Sequence, residues 1–266
     1  MPRLAWATDI HVNFVSARAL EQLCAEMVAS DPDALLITGD IAEAPTLRGA
    51  LQRIADLVRR PVYFVLGNHD YYSGSIERVR QSTSALCSQS PWLRYLSDID
   101  YVELSPATAL VGHDGWGDAR YGAYWLSTVR MSDFDVITDF IGLDRGARWR
   151  RLNELGDEAG RHFQRVLDVV VPRYENVIVA THVPPIDRAA WHEGAMSSPT
   201  WLPFFSCKAA GDAIRAAFAA RPECRGTVYC GHTHGSGEIE ALPNLRVVTG
   251  GAVYSKPILQ GLLEVA

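Results

Sequence analysis

The sequence predicts an α/β fold, a four-layer sandwich in which two mixed β-sheets pack face to face with helices outside. Three observations carry that expectation. From the N-terminus to Leu66, short apolar runs alternate with amphipathic stretches, the pattern of parallel strands joined by right-handed crossovers. Tyr101–Leu104 and Thr108–Val111 are short, adjacent and separated by Ser105-Pro106, as in a hairpin belonging to a second sheet. Five apolar runs end on Asp, Asn or His, and ligands in open α/β sheets collect at the carboxyl ends of strands.

In order, residues 3–10 form the first strand. Ser16 is positioned to cap a helix over 17–29, with Leu20, Leu23, Met27 and Val28 at helical spacing. Asp31-Pro32-Asp33 ends it and opens a strand over 34–38. Thr46 is the expected cap of a second helix, whose Leu47, Leu51, Ile54 and Val58 share one face and whose end at Arg59-Arg60 complements the helix dipole. Pro61 starts the third strand. A loop at 71–74 precedes a helix over 75–87. After the 101–111 pair, residues 113–150 are the least regular part of the chain. They read as an insertion near the mouth of a site, with Asp133, Asp135, Asp139 and Asp144 on a solvated face. A helix over 150–171 stops at Pro172. A strand over 176–182, a long aromatic loop, an Ala-rich helix over 208–219 and strands over 226–230, 236–241, 245–249 and 258–265 complete the pattern. Residues 1–266 read as one domain, because groups from both ends must meet.

Composition bounds the function. With 48% hydrophobic and 21% charged residues, the 266-residue chain is ordinary for a globular protein able to bury a large core. A net charge of −6 gives no support to a nucleic-acid-binding surface. No apolar stretch is long enough to span a membrane, and Met1–Leu4 lacks a signal-peptide layout. Cys24, Cys87, Cys207, Cys224 and Cys230 are scattered, without a CxxC pair or disulfide framework, which suits reduced thiols in the cytoplasm. The oligomeric state leaves no mark.

The chemistry lies in the strand endings. Ala5–Thr8 leads into Asp9-Ile10-His11, and Ala34–Thr38 into Gly39-Asp40. Pro61–Leu66 leads into Gly67-Asn68-His69-Asp70, Asn176–Thr181 into His182, and Gly226–Cys230 into Gly231-His232-Thr233-His234. This set, in this order, resembles the five motifs of the calcineurin-like metallophosphoesterases and spans residues 9–234. One departure is visible: Glu43 stands where the family often carries a second Asp, so a carboxylate is kept.

The resemblance implies a metal site at the strand C-terminal ends. One divalent ion would take Asp9, His11, Asp40 and His234, the other Asp40, Asn68, His182 and His232, with Asp40 as the bridge. Two ions about 3.5–4 Å apart neutralise the phosphoryl charge and activate a water, and the nucleophile implied is a hydroxide bridging them. In extended chain, residues two apart point the same way, so Asp9 with His11, and His232 with His234, would project together. Thr8 and Thr181 are candidates to hydrogen-bond these ligands. The mixed nitrogen and oxygen donors suit manganese first, then iron or zinc. His69, by resemblance, protonates the leaving group or stabilises the phosphoryl charge, with Asp70 as a candidate to orient it.

Tyr71, His113 and Trp116 are candidate substrate contacts, whereas His162 and His192 are not read as ligands. The loop aromatics Trp116, Tyr121, Tyr124, Trp125, Trp191, Trp201, Phe204 and Phe205 either pack a subsidiary core or stack on a flat leaving group. The expected function is hydrolysis of a small-molecule phosphate ester, preferably a phosphodiester. The alternatives are a phosphomonoesterase or protein phosphatase of the same fold, and a non-catalytic metal-bound scaffold.

Overall fold

Alternation of side chains along each strand decides which layer it faces. In the computed structural model, which describes all 266 residues, β1 (Arg3–Ala7) sends Leu4 and Trp6 to one side and Ala5 and Ala7 to the other. There follow α1 (Ala17–Ala29), β2 (Ala34–Thr38), α2 (Ala44–Val58), β3 (Val62–Val65), α3 (Ile76–Gln89) and β4 (Leu93–Tyr95). The short pair is β5 (Val102–Ser105) and β6 (Thr108–His113). An irregular stretch containing the single turn α4 (Asp133–Val136) leads to α5 (Arg145–Val170) and β7 (Asn176–Thr181). Then come a miniature hairpin, β8 (Trp191–His192) and β9 (Ala195–Met196), and two helices, α6 (Leu202–Phe205) and α7 (Lys208–Ala219). The chain closes with β10 (Arg225–Cys230), β11 (Gly237–Leu242), β12 (Leu245–Thr249) and β13 (Gly261–Glu264).

The strands build two mixed sheets, ordered β13-β1-β2-β3-β4 and β11-β12-β10-β7-β6-β5. In the first, β1 to β4 are parallel and β13 runs against β1. In the second, β6, β7, β10 and β12 are parallel, and the edge strands β5 and β11 are antiparallel. Leu4, Trp6, Leu36 and Val65 of the first sheet meet Leu110, Ile178, Ala180 and Tyr229 of the second. The outer face of the first sheet packs on Leu20, Leu23 and Met27 of α1 and Leu51 and Ile54 of α2. The outer face of the second packs on Phe163, Val166 and Leu167 of α5 and Ile214 and Phe218 of α7. The result is the expected helix–sheet–sheet–helix sandwich.

Several local expectations shift. Helix α2 starts at Ala44 with Glu43 at the cap position, because Pro45 is tolerated in the first turn, where no N–H is needed. The Thr46 hydroxyl instead donates to Asn13 Oδ1 at 2.9 Å. Helix α5 begins at Arg145, where Asp144 Oδ1 accepts from the Ala147 N–H at 2.7 Å. The stretch between β6 and α5 buries Trp116, Tyr124, Phe134, Ile137 and Phe140 in the first core. Its acidic residues are not all solvated, since Asp133 is 4% exposed.

Candidate dinuclear metal centre

Every expected ligand lies just beyond a strand end: Asp9 and His11 after β1, Asp40 after β2, Asn68 after β3, His182 after β7, and His232 and His234 after β10. Parallel strand order brings these ends to one edge of the sandwich. The expectation of extended chain is corrected here. Asp9, His11, Asp40, His232 and His234 adopt φ of 49°, 48°, 51°, 72° and 60°. The left-handed region costs an L-residue about 1–2 kcal/mol, and Asp and His are among the side chains that enter it most readily. Hydrogen bonds hold the bends, from the Asp9 N–H to the Gly39 carbonyl at 3.0 Å and from the His11 N–H to the Asp40 carbonyl at 2.9 Å. Two motif glycines are explained by close approach. A Cβ on Gly67 would lie 2.2 Å from Asp40 Oδ1, and one on Gly231 would lie 2.1 Å from Asp9 Oδ2.

The side chains gather into two groups that share one member. Donor atoms of Asp9, His11, Asp40 and His234 lie within 4.8 Å of one another, and so do those of Asp40, His182 and His232. In the first group His11 Nε2 is 3.1 Å from His234 Nε2 and 3.7 Å from Asp40 Oδ2. In the second, His182 Nε2 is 3.3 Å from Asp40 Oδ1. Asn68 joins the second group, its Oδ1 lying 3.2 Å from His182 Nε2 and 3.0 Å from His232 Nδ1.

The far side of each ring shows which atoms face inward. His182 Nδ1 lies 2.8 Å from the Thr38 carbonyl, and His232 Nε2 lies 3.1 Å from the Phe204 carbonyl. A carbonyl only accepts, so both of these nitrogens carry protons. In the neutral rings, His182 Nε2 and His232 Nδ1 are therefore lone pairs. Asn68 Nδ2 donates to Asp133 Oδ1 at 2.9 Å, which turns the amide oxygen toward the same point. With those rings neutral, three lone pairs and a carboxylate converge, a donor set that fits a cation. Thr8 Oγ1 lies 2.6 Å from Asp9 Oδ2, whereas the Thr181 hydroxyl donates to the Asp114 carbonyl.

Electrostatics agrees. Burial opposes charge on Asp40, yet the His182 and His69 imidazoles hold its carboxyl well below the ordinary value. Burial likewise opposes charge on His182, but the Asp40 and Asp9 carboxylates raise it to about 10. Burial and the His182 neighbour push His232 down to about 3. The carboxylates thus draw one positive charge into a site otherwise built of lone pairs.

His69 stands at the open side, its ring stacked on Tyr72 at 4.2 Å and edge-on to His11 at 4.5 Å. Asp70 does not orient that ring. It is fully buried and accepts from the Ile41, Ala42 and Gly67 N–H groups at 2.9, 2.8 and 2.8 Å. Its role is to tie the loop after β2 to the loop after β3, which holds Asp40 against Asn68.

The three candidate substrate contacts are also corrected, because none reaches the cleft. Tyr71 is buried, with its hydroxyl on Asp114 Oδ2 at 2.7 Å. Trp116 packs on Tyr71 and Phe140. His113 packs on His162 and Phe163, on the helical side of the second sheet. The cleft over the two groups measures about 300 Å³ and is walled by Tyr72, Arg130, Met131, Trp201, Phe205 and Tyr254. His192 reaches this cleft but joins neither group. Tyr254, whose ring lies 4.7 Å from His11, follows β12 in a stretch with no motif to announce it.

Asp114, unremarked in the sequence, joins the two sheets beneath the site. Its carboxylate accepts from the Leu66 N–H at 2.8 Å, the Tyr71, Tyr95 and Ser97 hydroxyls, and Arg80 Nε at 3.2 Å. Its carbonyl accepts from the His182 N–H at 3.0 Å. Burial raises its pKa, but Arg80 leads the neighbours that outweigh burial and leave it below the ordinary value. A depressed carboxyl stabilises the fold above its unfolded pKa of about 4 and loses that contribution as pH falls. Asp114→Asn is therefore expected to cost about 3 kcal/mol at pH 7. Its unfolding free energy should also fall less steeply than that of the parent between about pH 5 and 3. Denaturant titrations at both pH values check this, and equal slopes would remove Asp114 from the acid response.

Comparison with known proteins gives the family. A family model for calcineurin-like phosphoesterases matches residues 2–236. The phosphopantetheinyl hydrolase of Mycobacterium tuberculosis superposes with a TM-score of 0.70 at 15% identity, covering 96% of this chain and 90% of that one. A dimetal phosphatase from Danio rerio superposes at 0.56, also 15% identical, covering 96% and 88%. At these identities the likeness is one of fold. A Danio rerio transmembrane protein with a metallophosphoesterase domain is 34% identical over 79 residues. That match takes in 28% of this chain and only 18% of the relative. No helix of this chain is long and apolar enough to cross a membrane.

Proposed function

Because the chain belongs to the calcineurin-like phosphoesterase family, we propose that it is a dinuclear metal-dependent hydrolase of phosphate esters, with a small phosphodiester as its preferred substrate. The observation that carries this reading is the membership of Asp40 in both donor groups, which a pair of ions sharing one carboxylate requires. Asp9, His11, Asp40 and His234 would hold one divalent ion, and Asp40, Asn68, His182 and His232 the other. When bound, the ions supply charge neutralisation of the phosphoryl oxygens and a lowered water pKa. Manganese is the first assignment, with iron or zinc next, on the mixed nitrogen and oxygen donors.

The protein's own groups do the rest. His69, fixed by the face of Tyr72, holds a proton for the leaving-group oxygen. The Asp133 carboxylate keeps the Asn68 amide turned inward. Trp201, Phe205 and Tyr254 offer flat apolar surfaces to ester substituents, and Arg130 offers a cation at the rim. Aromatic walls around the donor groups support a phosphate esterified on two sides. A cytoplasmic setting belongs to the same proposal, since all five cysteines are free thiols. So does the reading of residues 1–266 as one domain, since the donor groups draw on both halves of the chain.

Metal-stripped protein, re-loaded in turn with manganese, iron and zinc, would be assayed on bis(p-nitrophenyl) phosphate and on p-nitrophenyl phosphate. A phosphopantetheinyl ester joins the panel because of the mycobacterial fold relative. Metal-dependent diester turnover, fastest with manganese, is the expected result. Monoester turnover alone would overturn the diester preference. Silence on every substrate with two metals bound would favour a scaffold.

A further inference from the structure

Beside the metal cleft lies a second cavity of about 390 Å³, lined by Tyr124, Phe134, Phe204 and three arginines, Arg130, Arg145 and Arg148. No acidic side chain lines it. The two spaces adjoin. Arg130 lines both, and the Phe204 carbonyl is the acceptor that fixes His232.

The charge in this cavity is only partly cancelled. Asp135 is taken by Arg130, with contacts of 3.1 and 2.8 Å. Asp144, the acid next to Arg145 in sequence, is committed to the cap of α5. Arg145 donates to the neutral carbonyls of Tyr124 and Ser127. Arg148 lies 4.0 Å over the Phe134 ring and donates to the Leu143 carbonyl, and its buried Nε has no partner. Carbonyls and a ring face orient a guanidinium without neutralising it, and planar guanidinium groups are matched by phosphate and carboxylate. Two arginines without a salt bridge in a chain of net charge −6 are a local reversal of sign next to a phosphate-ester cleft.

We propose that this cavity binds a second anionic group of the substrate, a phosphate or carboxylate carried beyond the scissile ester. Arg145 and Arg148 form its floor, and Arg130 stands between the two anions. The assignment rests on the phosphoesterase reading of the cleft, and it narrows the substrate class to molecules with two separated anionic groups.

The test is calorimetry on the manganese-loaded protein with α,ω-alkane bisphosphonates of increasing spacer length. Each is paired with the alkyl monophosphonate of equal carbon count, and a parallel phosphonocarboxylate series separates phosphate from carboxylate. At the spacer that reaches the cavity, the bisphosphonate is expected to bind roughly tenfold or more tightly than its partner. That ratio should fall toward one in Arg148→Leu. If Arg148→Leu fails to fold, Arg130→Gln, a mostly exposed side chain paired only with Asp135, carries the comparison. A ratio near one at every length, or a high ratio kept in the variants, overturns the proposal. Binding does not require turnover, so an arginine-dependent ratio in a protein that hydrolyses nothing would reject the phosphoesterase reading while keeping the anion site.

Discussion

Asp40→Asn is expected to abolish the paired site, with bound metal falling from two ions to one or fewer. Asp40 is the only side chain common to the two donor groups, and its two oxygens face opposite ways, Oδ2 toward His11 and Oδ1 toward His182. An amide keeps the shape and loses the charge. Removing one member of a buried, paired charge set costs about 3–5 kcal/mol. If that loss falls on the transition state, activity drops by roughly 10²–10⁴-fold. Stability supplies a second readout. Ligands that bind only the folded state raise the unfolding free energy, by about 2.7 kcal/mol at a hundredfold excess over Kd. The rise in Tm when manganese is added should therefore shrink in Asp40→Asn. Metal-free Asp40→Asn should also unfold earlier than the metal-free parent, because the change takes from buried His182 the carboxylate that raises its pKa to about 10. Full activity with two bound ions would make the bridging assignment wrong.

His69→Ala should separate binding from turnover. The imidazole belongs to neither donor group yet lines the cleft beside both, so metal content and the metal-dependent rise in Tm should stay as in the parent. Turnover should fall by about 10²–10⁴-fold, the usual contribution of a general acid. The loss should be largest for alkyl esters, whose leaving oxygens need a proton, and smallest for p-nitrophenyl esters. An equal loss on both would assign His69 to stabilising phosphoryl charge. No loss on either would remove it from the chemistry. Tyr72→Leu, which takes away the stacked face, is a milder version of the same experiment.

Elements with a strong period were legible in the sequence. α1 and α7 occupy the expected residues because their apolar positions repeat at helical spacing and their ends carry breakers. The three-residue β4 and the two-residue strands β8 and β9 were not foreseen. So short a stretch shows no alternation, and only a neighbouring strand makes it one. The substrate contacts failed for a related reason. Tyr71 and Tyr72 are adjacent and chemically alike, but the tight turn after Asn68 sends the first inward to Asp114 and leaves the second beneath His69. Composition does not distinguish them.

The sequence by itself determined which side chains converge, in what order they fall at strand ends, and hence the family and the chemistry those donors suit. That information is local: an apolar run followed by Asp, Asn or His marks a strand end wherever it occurs. The tertiary structure decided how the donors are aimed, through left-handed bends and carbonyl partners, and which acids are structural. Asn68 and Asp133 are 65 residues apart and Leu66 and Asp114 are 48 apart, and nothing in either local stretch names its partner. Such pairings follow only from the way two sheets and their connecting segments pack. Burial then makes each choice matter, because a polar group shut away from water must find its partner within the fold.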